Sequence, residues 1–384
     1  MNPRAYLDWN ATAPLRPQAR AFMVEVLDLV GNPSSVHAEG RRARALIEKA
    51  RAQVAALVGA QASDVTFTSG GTEANMMALS PGWAAAGDAP IERLLVSAIE
   101  HPSVLQGGRF AAGQVELVPV TPEGVIDLSA LQRQLQAGGR AMVSIMAANN
   151  ETGVIQPVQA AAELVHATGG LLHVDAVQAP GRIPCNINDL KADLLTISGH
   201  KLGGPKGAGA LIRRAGLHLS DPLIKGGGQE RGLRAGTEDV AAIAGFGAAA
   251  EAVAGERSAL ELVRLQHQLE AGLRAITPDV VIFGAGAERL PNTTLFTHPR
   301  LKAETAVIAF DLEGVAVSSG SACSSGKVQP SHVLAAMGVE EDLARGAIRI
   351  STGPATLPTD IEHCLKAWRK LSESLLKGRN SIAA

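Results

Sequence analysis

Ser198-Gly199-His200-Lys201 and the run that follows it, Leu202-Gly203-Gly204-Pro205-Lys206-Gly207, decide the reading of this chain. They set one lysine between a strand-like segment, Asp193-Leu194-Leu195-Thr196-Ile197, and a glycine-rich loop whose backbone can come close to a ligand. A lysine so placed suits Schiff-base chemistry, provided its ammonium can lose a proton near neutral pH. Upstream, Asp175 ends a second strand-like segment, Leu171-Leu172-His173-Val174. A carboxylate to partner a pyridinium nitrogen, with a Schiff-base lysine, is the smallest protein toolkit for pyridoxal phosphate.

The same texture extends outward. Short apolar segments at 65–68, 94–97, 115–118, 142–145, 171–174, 194–197 and 209–212 read as strands. Between most of them apolar residues recur at helical spacing, as in Ile47, Ala50, Val54, Leu57 and Val58. This alternation predicts an α/β fold, a mainly parallel sheet with helices on both faces. Ligands in such folds collect beyond the carboxyl ends of strands. Thr72, His101, Asn150, Asp175 and Lys201 all follow strand candidates, which points to one site. Thr68-Ser69-Gly70-Gly71-Thr72-Glu73 follows a strand and opens a helical pattern. Its free backbone N–H groups and hydroxyl make an anion cradle, although an ordinary helix cap reads the same way.

From about residue 255 the pattern changes to a long helical stretch (259–275) and short strands around Val281, Thr294 and Ile308. A Ser/Gly-rich loop, a short helix from Ser331, a strand at 347–350 and a last helix from Pro358 follow. The expected organisation is an N-terminal segment, 1–15, packing with the small domain. A large cofactor-binding domain would span 16–257, and a small α+β domain 258–384.

At 384 residues the chain exceeds one ordinary core. Its 46% apolar and 19% charged residues describe a packed, globular protein. A net charge of −2 offers no electrostatic case for nucleic acid or an anionic membrane. No apolar run approaches the ~20 residues that span a bilayer, and Met1-Asn2-Pro3-Arg4 lacks a signal peptide's apolar core. Three cysteines argue against a disulfide framework and for a reducing cytoplasm.

Ordered motifs carry a family resemblance over nearly the whole length. They run from Tyr6-Leu7-Asp8-Trp9-Asn10-Ala11-Thr12 and Gly31-Asn32-Pro33-Ser34-Ser35 through Glu100-His101-Pro102, Asn149-Asn150-Glu151-Thr152-Gly153 and His173-Val174-Asp175-Ala176-Val177-Gln178. They continue through Ser198-Gly199-His200-Lys201, Gly226-Gly227-Gly228-Gln229-Glu230-Arg231-Gly232 and Arg234-Ala235-Gly236-Thr237. Ser318-Ser319-Gly320-Ser321-Ala322-Cys323-Ser324-Ser325-Gly326 and Ser331-His332-Val333-Leu334 complete the set. The chain resembles cysteine desulfurases of the NifS/IscS kind, within the class-V aminotransferase family. The resemblance implies the pyridoxal-phosphate transferase fold type I, as in aspartate aminotransferase.

It also implies roles. Lys201 would form the Schiff base, Asp175 would pair with the pyridinium nitrogen and His101 would stack on the ring. Asn150 and Gln178 would contact the ring and its 3-hydroxyl, Asn150 also the substrate. Gly71, Thr72, Ser198 and His200 would hold the phosphate, with Thr237 reaching in from the second subunit of a homodimer. Arg349 would grip the substrate α-carboxylate, a task that suits a planar guanidinium fork. Read singly, His101 before Pro102 is also a helix cap, Asp175 a partner for a nearby hydroxyl and Arg349 a strand-edge residue. His200, Gln178 and Asn150 also fit supporting roles, and Lys206 is the neighbouring rival for the Schiff base.

Cys185 and Cys364 read as small buried hydrophobes, whereas serines and glycines surround Cys323 in a segment fit for a mobile loop. The implied reaction takes L-cysteine to L-alanine, with Lys201 moving the α-proton and His101 a further proton. Cys323 attacks the substrate sulfur as a thiolate and keeps it as a persulfide. An acceptor protein, such as an iron–sulfur scaffold or a sulfur carrier, would then take the sulfur. In relatives this cysteine can also ligate a transient iron–sulfur cluster, the one metal role expected of the chain. Trp9, Ala13 and Gln229 depart from the commoner pattern, and the short tail after the last helix leaves the acceptor open. Two other readings stand beside this one: a selenocysteine lyase, and a non-catalytic sulfur-relay or assembly partner.

Overall fold

Residues 4–254, 259–320 and 331–377 are described by the computed structural model. The chain opens with β1 (Ala5–Tyr6), which pairs in parallel with the distant β13 (Val315–Ala316). The strand segments read from the sequence join in one seven-stranded sheet. These are β2 (Val65–Thr68), β4 (Arg93–Ser97), β5 (Val115–Val118), β6 (Ala141–Met146), β7 (Leu171–Asp175), β8 (Leu194–Ser198) and β9 (Gly209–Arg213). Their order is β2-β9-β8-β7-β6-β4-β5. A small antiparallel pair, β3 (Trp83–Ala84) with β10 (His218–Leu219), lies outside this sheet.

Pairing from β5 to β8 is parallel, but β9 runs antiparallel to both β8 and β2. Only residues 199–208 connect β8 to β9. A parallel crossover needs a dozen or more residues, so this short glycine-rich link forces the reversal. The inner strands β6, β7 and β8 are buried along their whole length, as sequences covered on both faces must be.

Helices α1 (Pro17–Leu27), α2 (Ala38–Leu57) and α7 (Val240–Ala254) pack together. In α2, Ala43, Ile47, Ala50 and Val54 form the buried stripe. Gly247 of α7 admits this neighbour, because a Cβ there would lie 2.6 Å from Ala50 Cα. The sheet connections also contain α3 (Gly71–Ala78), α4 (Pro102–Leu105), α5 (Leu128–Gln136) and α6 (Val158–Ala167).

A second sheet, β11 (Val281–Ile282), β12 (Thr293–Thr297), β15 (Ile348–Ser351) and β14 (Ser318–Ser319), is antiparallel throughout. It shares a core with α8 (Ala259–Ile276), α9 (Ala303–Leu312) and α12 (Pro358–Lys377). Trp368 centres that core, edge-on to Phe296 at 5.2 Å and stacked on Phe310 at 6.5 Å. Ala5 and Leu7 are buried in the same cluster. Ile308 lies in α9 and is largely exposed, not in a strand. Its β-branched neighbourhood imitates a strand, but Ala303, Ala306 and Phe310 are the buried residues, a helical period. Ser331 caps α10 (His332–Ala336) by accepting from Leu334 N–H, and α11 (Glu341–Ala344) follows.

The segment after β1 joins the two sheets. Trp9 N–H donates to Ser351 O of β15, and Ala13 N–H donates to His200 O beyond β8. Among the described residues no helix is long and apolar enough to cross a membrane.

Candidate active site

The carboxyl ends of β2, β4, β6, β7 and β8 all lead to one cavity of about 310 Å³. Its size falls within the range of small-molecule sites. Asp175, the last residue of β7, is 6% exposed at its wall. One carboxylate oxygen accepts from Val177 N–H (3.0 Å), the other from Asn75 Nδ2 (2.8 Å). Asn75 gives its second amide hydrogen to Ser103 Oγ at 2.9 Å.

His101 both faces the cavity and caps α4. Ser103 N–H donates to its Nδ1 (3.2 Å), and the Ser103 hydroxyl lies 2.8 Å from the same nitrogen. With Nδ1 accepting, the ring proton belongs on Nε2. Burial lowers the His101 pKa below the usual histidine value, and Lys201 and His332 add to this against the pull of Asp175. The imidazole is neutral at pH 7.

Beyond β8 the chain turns through Gly199–Lys201. Lys201 Nζ donates to the carbonyls of Asn10 (2.5 Å) and Ala11 (2.9 Å). His200 Nδ1 lies 3.2 Å from Thr12 Oγ1. Burial, with Lys201 and Lys206 nearby, pulls the His200 pKa down to about 4. Gly71 and Thr72, at the first turn of α3, share the lining with Ser198 and His200. A Cβ on Gly71 would stand 3.0 Å from Val177 and 3.4 Å from Ser198. Bare backbone is therefore what fits there, with the helix's uncapped N–H groups beside a hydroxyl.

Gln178 Nε2 donates to Asn10 O at 3.1 Å, and its Oε1 accepts from Arg182, which fixes the amide's orientation. Arg349, on β15, is 2% exposed and reaches the same cavity. Its guanidinium donates to Asn150 O (3.0 Å) and to Asp8 Oδ1 (2.8 Å). Asn150 also lines the cavity.

Ten of the residues singled out in the sequence thus meet in one place. Thr237 is exposed and does not line the cavity of its own chain. Cys323 lies outside the described residues. The other cysteines are buried, and burial pushes both thiols up to about 12. Among the described residues no group of three or more His, Cys, Asp or Glu side chains could hold a metal ion.

Sequence reasoning missed Asn75 and Ser103, and it held Asn10 and Asp8 only as motif residues without a role. The same is true of Glu100, which is fully buried. Glu100 Oε1 accepts from Met146 N–H at 2.5 Å. Burial, and then the charge of Asp175, hold its pKa well above the carboxylate range, against the pull of the Met146 N–H. Asn75 carried a faint signal, being one helical turn beyond Gly71 and Thr72. Glu100 carried none beyond its place next to His101.

The sequence matches the family model described as Aminotransferase class-V over residues 5–364. The chain belongs to the class-V aminotransferases. This family member is 41% identical to a cysteine desulfurase of Cereibacter sphaeroides over 379 residues, covering 97% of this chain and 96% of the relative. It is 40% identical to the cysteine desulfurase IscS of Dictyoglomus turgidum over 382 residues, 98% of this chain and 96% of the other. The solved NifS-like protein of Rickettsia africae superposes with a TM-score of 0.88 at 38% identity, covering 96% of this chain and 99% of that one. The α/β fold expected from the sequence is therefore the NifS-like one.

Proposed function

We propose that this class-V aminotransferase is a pyridoxal-phosphate-dependent cysteine desulfurase. It takes sulfur from L-cysteine, releases L-alanine and passes the sulfur through Cys323 to an acceptor protein for iron–sulfur or other thio-cofactor synthesis. One observation carries the reading: an amine, a buried carboxylate, a neutral imidazole and a guanidinium line a single cavity. That donor set fits the cofactor. Lys201 would bind it covalently, Asp175 would pair with its ring nitrogen, and His101 would lie against the ring. Gln178, its amide hydrogens turned toward Asn10 O, would meet the 3-hydroxyl. Gly71, Thr72, Ser198 and His200 would hold the phosphate. When bound, the cofactor supplies an electron sink for the pair left as the substrate's α-proton departs.

The chain's own groups do the rest. Arg349 binds the substrate α-carboxylate, with Asn150 beside it. Lys201, freed by the incoming amine, is placed to take the α-proton, and the Asn10 and Ala11 carbonyls receive it as an ammonium. His101 presents its Nε2 proton to the cavity while Ser103 fixes the ring. The Cys323 thiolate forms an S–S bond with the substrate sulfur. The Cβ–S bond breaks toward carbon, which is protonated on the way to alanine. Cys185 and Cys364, both buried with thiol pKa values of about 12, are unsuited to that task.

Thr237, exposed on its own chain, suits contact with a second copy's phosphate site, and we read the active form as a homodimer. Exposed Val24, Leu27, Val30 and Val36 supply apolar surface for such a contact. The sparse cysteine set supports a reducing cytoplasm as its compartment.

The test is chemical. Wild type should absorb in the visible, be trapped by borohydride and release alanine from L-cysteine. Lys201→Ala should lose the reducible bond. Cys323→Ser should lose alanine release, and the peptide carrying Cys323 should gain the mass of one sulfur atom in wild type. Full activity in Cys323→Ser, or the added sulfur on Cys185 or Cys364, would overturn the reading.

A further inference from the structure

Arg349 is a cation set into an interior. On β15, Ile348 and Ile350 point into the core around Trp368, so the strand's period of two turns Arg349 and Ser351 to the other face. A guanidinium 2% exposed needs a counter-charge and partners for its donors. Among the described residues, Asp8 is the one carboxylate within ion-pair distance, at 2.8 Å. The other ionisable neighbours do not replace it. Glu151 lies beyond ion-pair distance and accepts from Ser331 Oγ at 2.5 Å, and Arg182 carries the same sign as Arg349.

Asp8 is held in place by the strand that carries its partner. It forms a parallel bridge with Ser351, two residues beyond Arg349 and on the same face. Ser351 N–H donates to Leu7 O, and Trp9 N–H donates to Ser351 O. Tyr6 Oη and Ala11 N–H both donate to the Asp8 carbonyl, at 3.2 and 3.1 Å, which closes the turn. Asp8 does not line the cavity, so it acts through Arg349 rather than on a ligand.

We infer that Asp8 is a positioning residue for the substrate-carboxylate subsite, holding the Arg349 guanidinium so that an N–H pair stays available to a ligand. The inference rests on the reading of Arg349 given under Proposed function. Asp8 takes a hydrogen from one terminal nitrogen and Asn150 O one from the other. Each terminal nitrogen keeps a second hydrogen, and Nε has no partner among the described residues. A carboxylate binds through two parallel N–H groups, so the plane of the guanidinium decides the grip. The same turn offers the Asn10 and Ala11 carbonyls to Lys201. One short segment thereby sets both cations that would meet the two ends of an amino acid.

The experiment compares wild-type holoenzyme with Asp8→Ala and Asp8→Asn, by calorimetric titration with L-alanine and with ethylamine, which lacks the carboxylate. Asp8→Ala should weaken L-alanine about tenfold or more, the size of one lost charge-assisted bond, and leave ethylamine unchanged. It should also raise KM for L-cysteine more than it lowers kcat. Asp8→Asn keeps an acceptor for Arg349 and should recover most of the L-alanine affinity, while remaining weaker than wild type. Should Asp8→Ala fail to fold, this smaller loss, confined to L-alanine, is the readout. Unchanged L-alanine affinity in both variants, or equal weakening of both ligands, overturns the inference. Wild type that binds neither L-alanine nor L-cysteine overturns the proposed function instead.

Discussion

Asn75 divides its amide hydrogens between Asp175 and Ser103, and Ser103 in turn meets His101. The buried carboxylate and the cavity-facing imidazole are therefore joined through two neutral side chains. Removing the amide by Asn75→Ala would leave an Asp175 oxygen buried and short of a donor, at about 1–3 kcal/mol. We expect urea unfolding to register that loss, and the holoenzyme to release its cofactor faster on dialysis. A variant as stable as wild type would mean that water replaces the amide. The example also shows where sequence reading stops. Lys201, Asp175 and His101 follow strands and carry unusual chemistry, so they stood out. Asn75 and Asn10 are ordinary polar residues whose partners lie far away in sequence, as Asn75 to Asp175 and Asn10 to Lys201 do. Only the fold makes those pairs.

Strands were readable because those of the large sheet form short apolar runs, bounded by polar or glycine-rich breaks. Direction was not, since β9 is as apolar as the parallel strands of the same sheet and only the short link from β8 reveals its reversal. That reversal matters to the cradle, because Gly209 begins β9 against the turn that opens α3. A Cβ there would sit 2.5 Å from the Gly70 backbone. Gly209→Ala should displace that turn, and we expect at least tenfold weaker retention of pyridoxal phosphate with secondary structure intact by circular dichroism. Unaltered retention would show that the turn can yield without harm to the cradle. A second brace lies behind β2, where Arg51 grips Glu230 through two hydrogen bonds of 2.6 and 2.8 Å, both residues buried. Glu230 also accepts from Phe67 N–H, and it holds a left-handed backbone at φ 47°, followed by Arg231 at 58°. Such backbone persists only where surroundings over-determine it. Arg51→Met should cost about 3–5 kcal/mol by urea unfolding, since it strands a buried carboxylate. A change below 1 kcal/mol would mean that the pair is solvated on breaking.

Across the molecule, buried histidines and buried acids pull the pH dependence of stability in opposite directions. His173 is fully buried between the Ser144 and Thr196 hydroxyls, and burial takes its pKa to about 4. Between pH 6.5 and 4 the unfolded chain binds a proton there that the native state refuses. Stability is therefore lost as pH falls through that window, by about 3 kcal/mol in all. His200, partly exposed, adds a smaller share of the same sign. Glu151 does the reverse. Burial raises it to about 7, against the pull of Ser331 and Arg349, so the native state keeps a proton that the unfolded chain releases above about 4.5. That contribution is lost as pH rises through 7. The two windows overlap between pH 4.5 and 6.5, and there the wild-type curve should be flattened by cancellation. Each slope should emerge when its opponent is removed. In His173→Gln, stability should rise as pH falls from 6.5 to 5, relative to wild type. In Glu151→Gln it should fall over the same interval. Urea unfolding at pH 5, 6 and 7 would decide, because the absolute cost of each substitution cancels from the slope. Three parallel profiles would show that neither group keeps its buried protonation state until the chain unfolds.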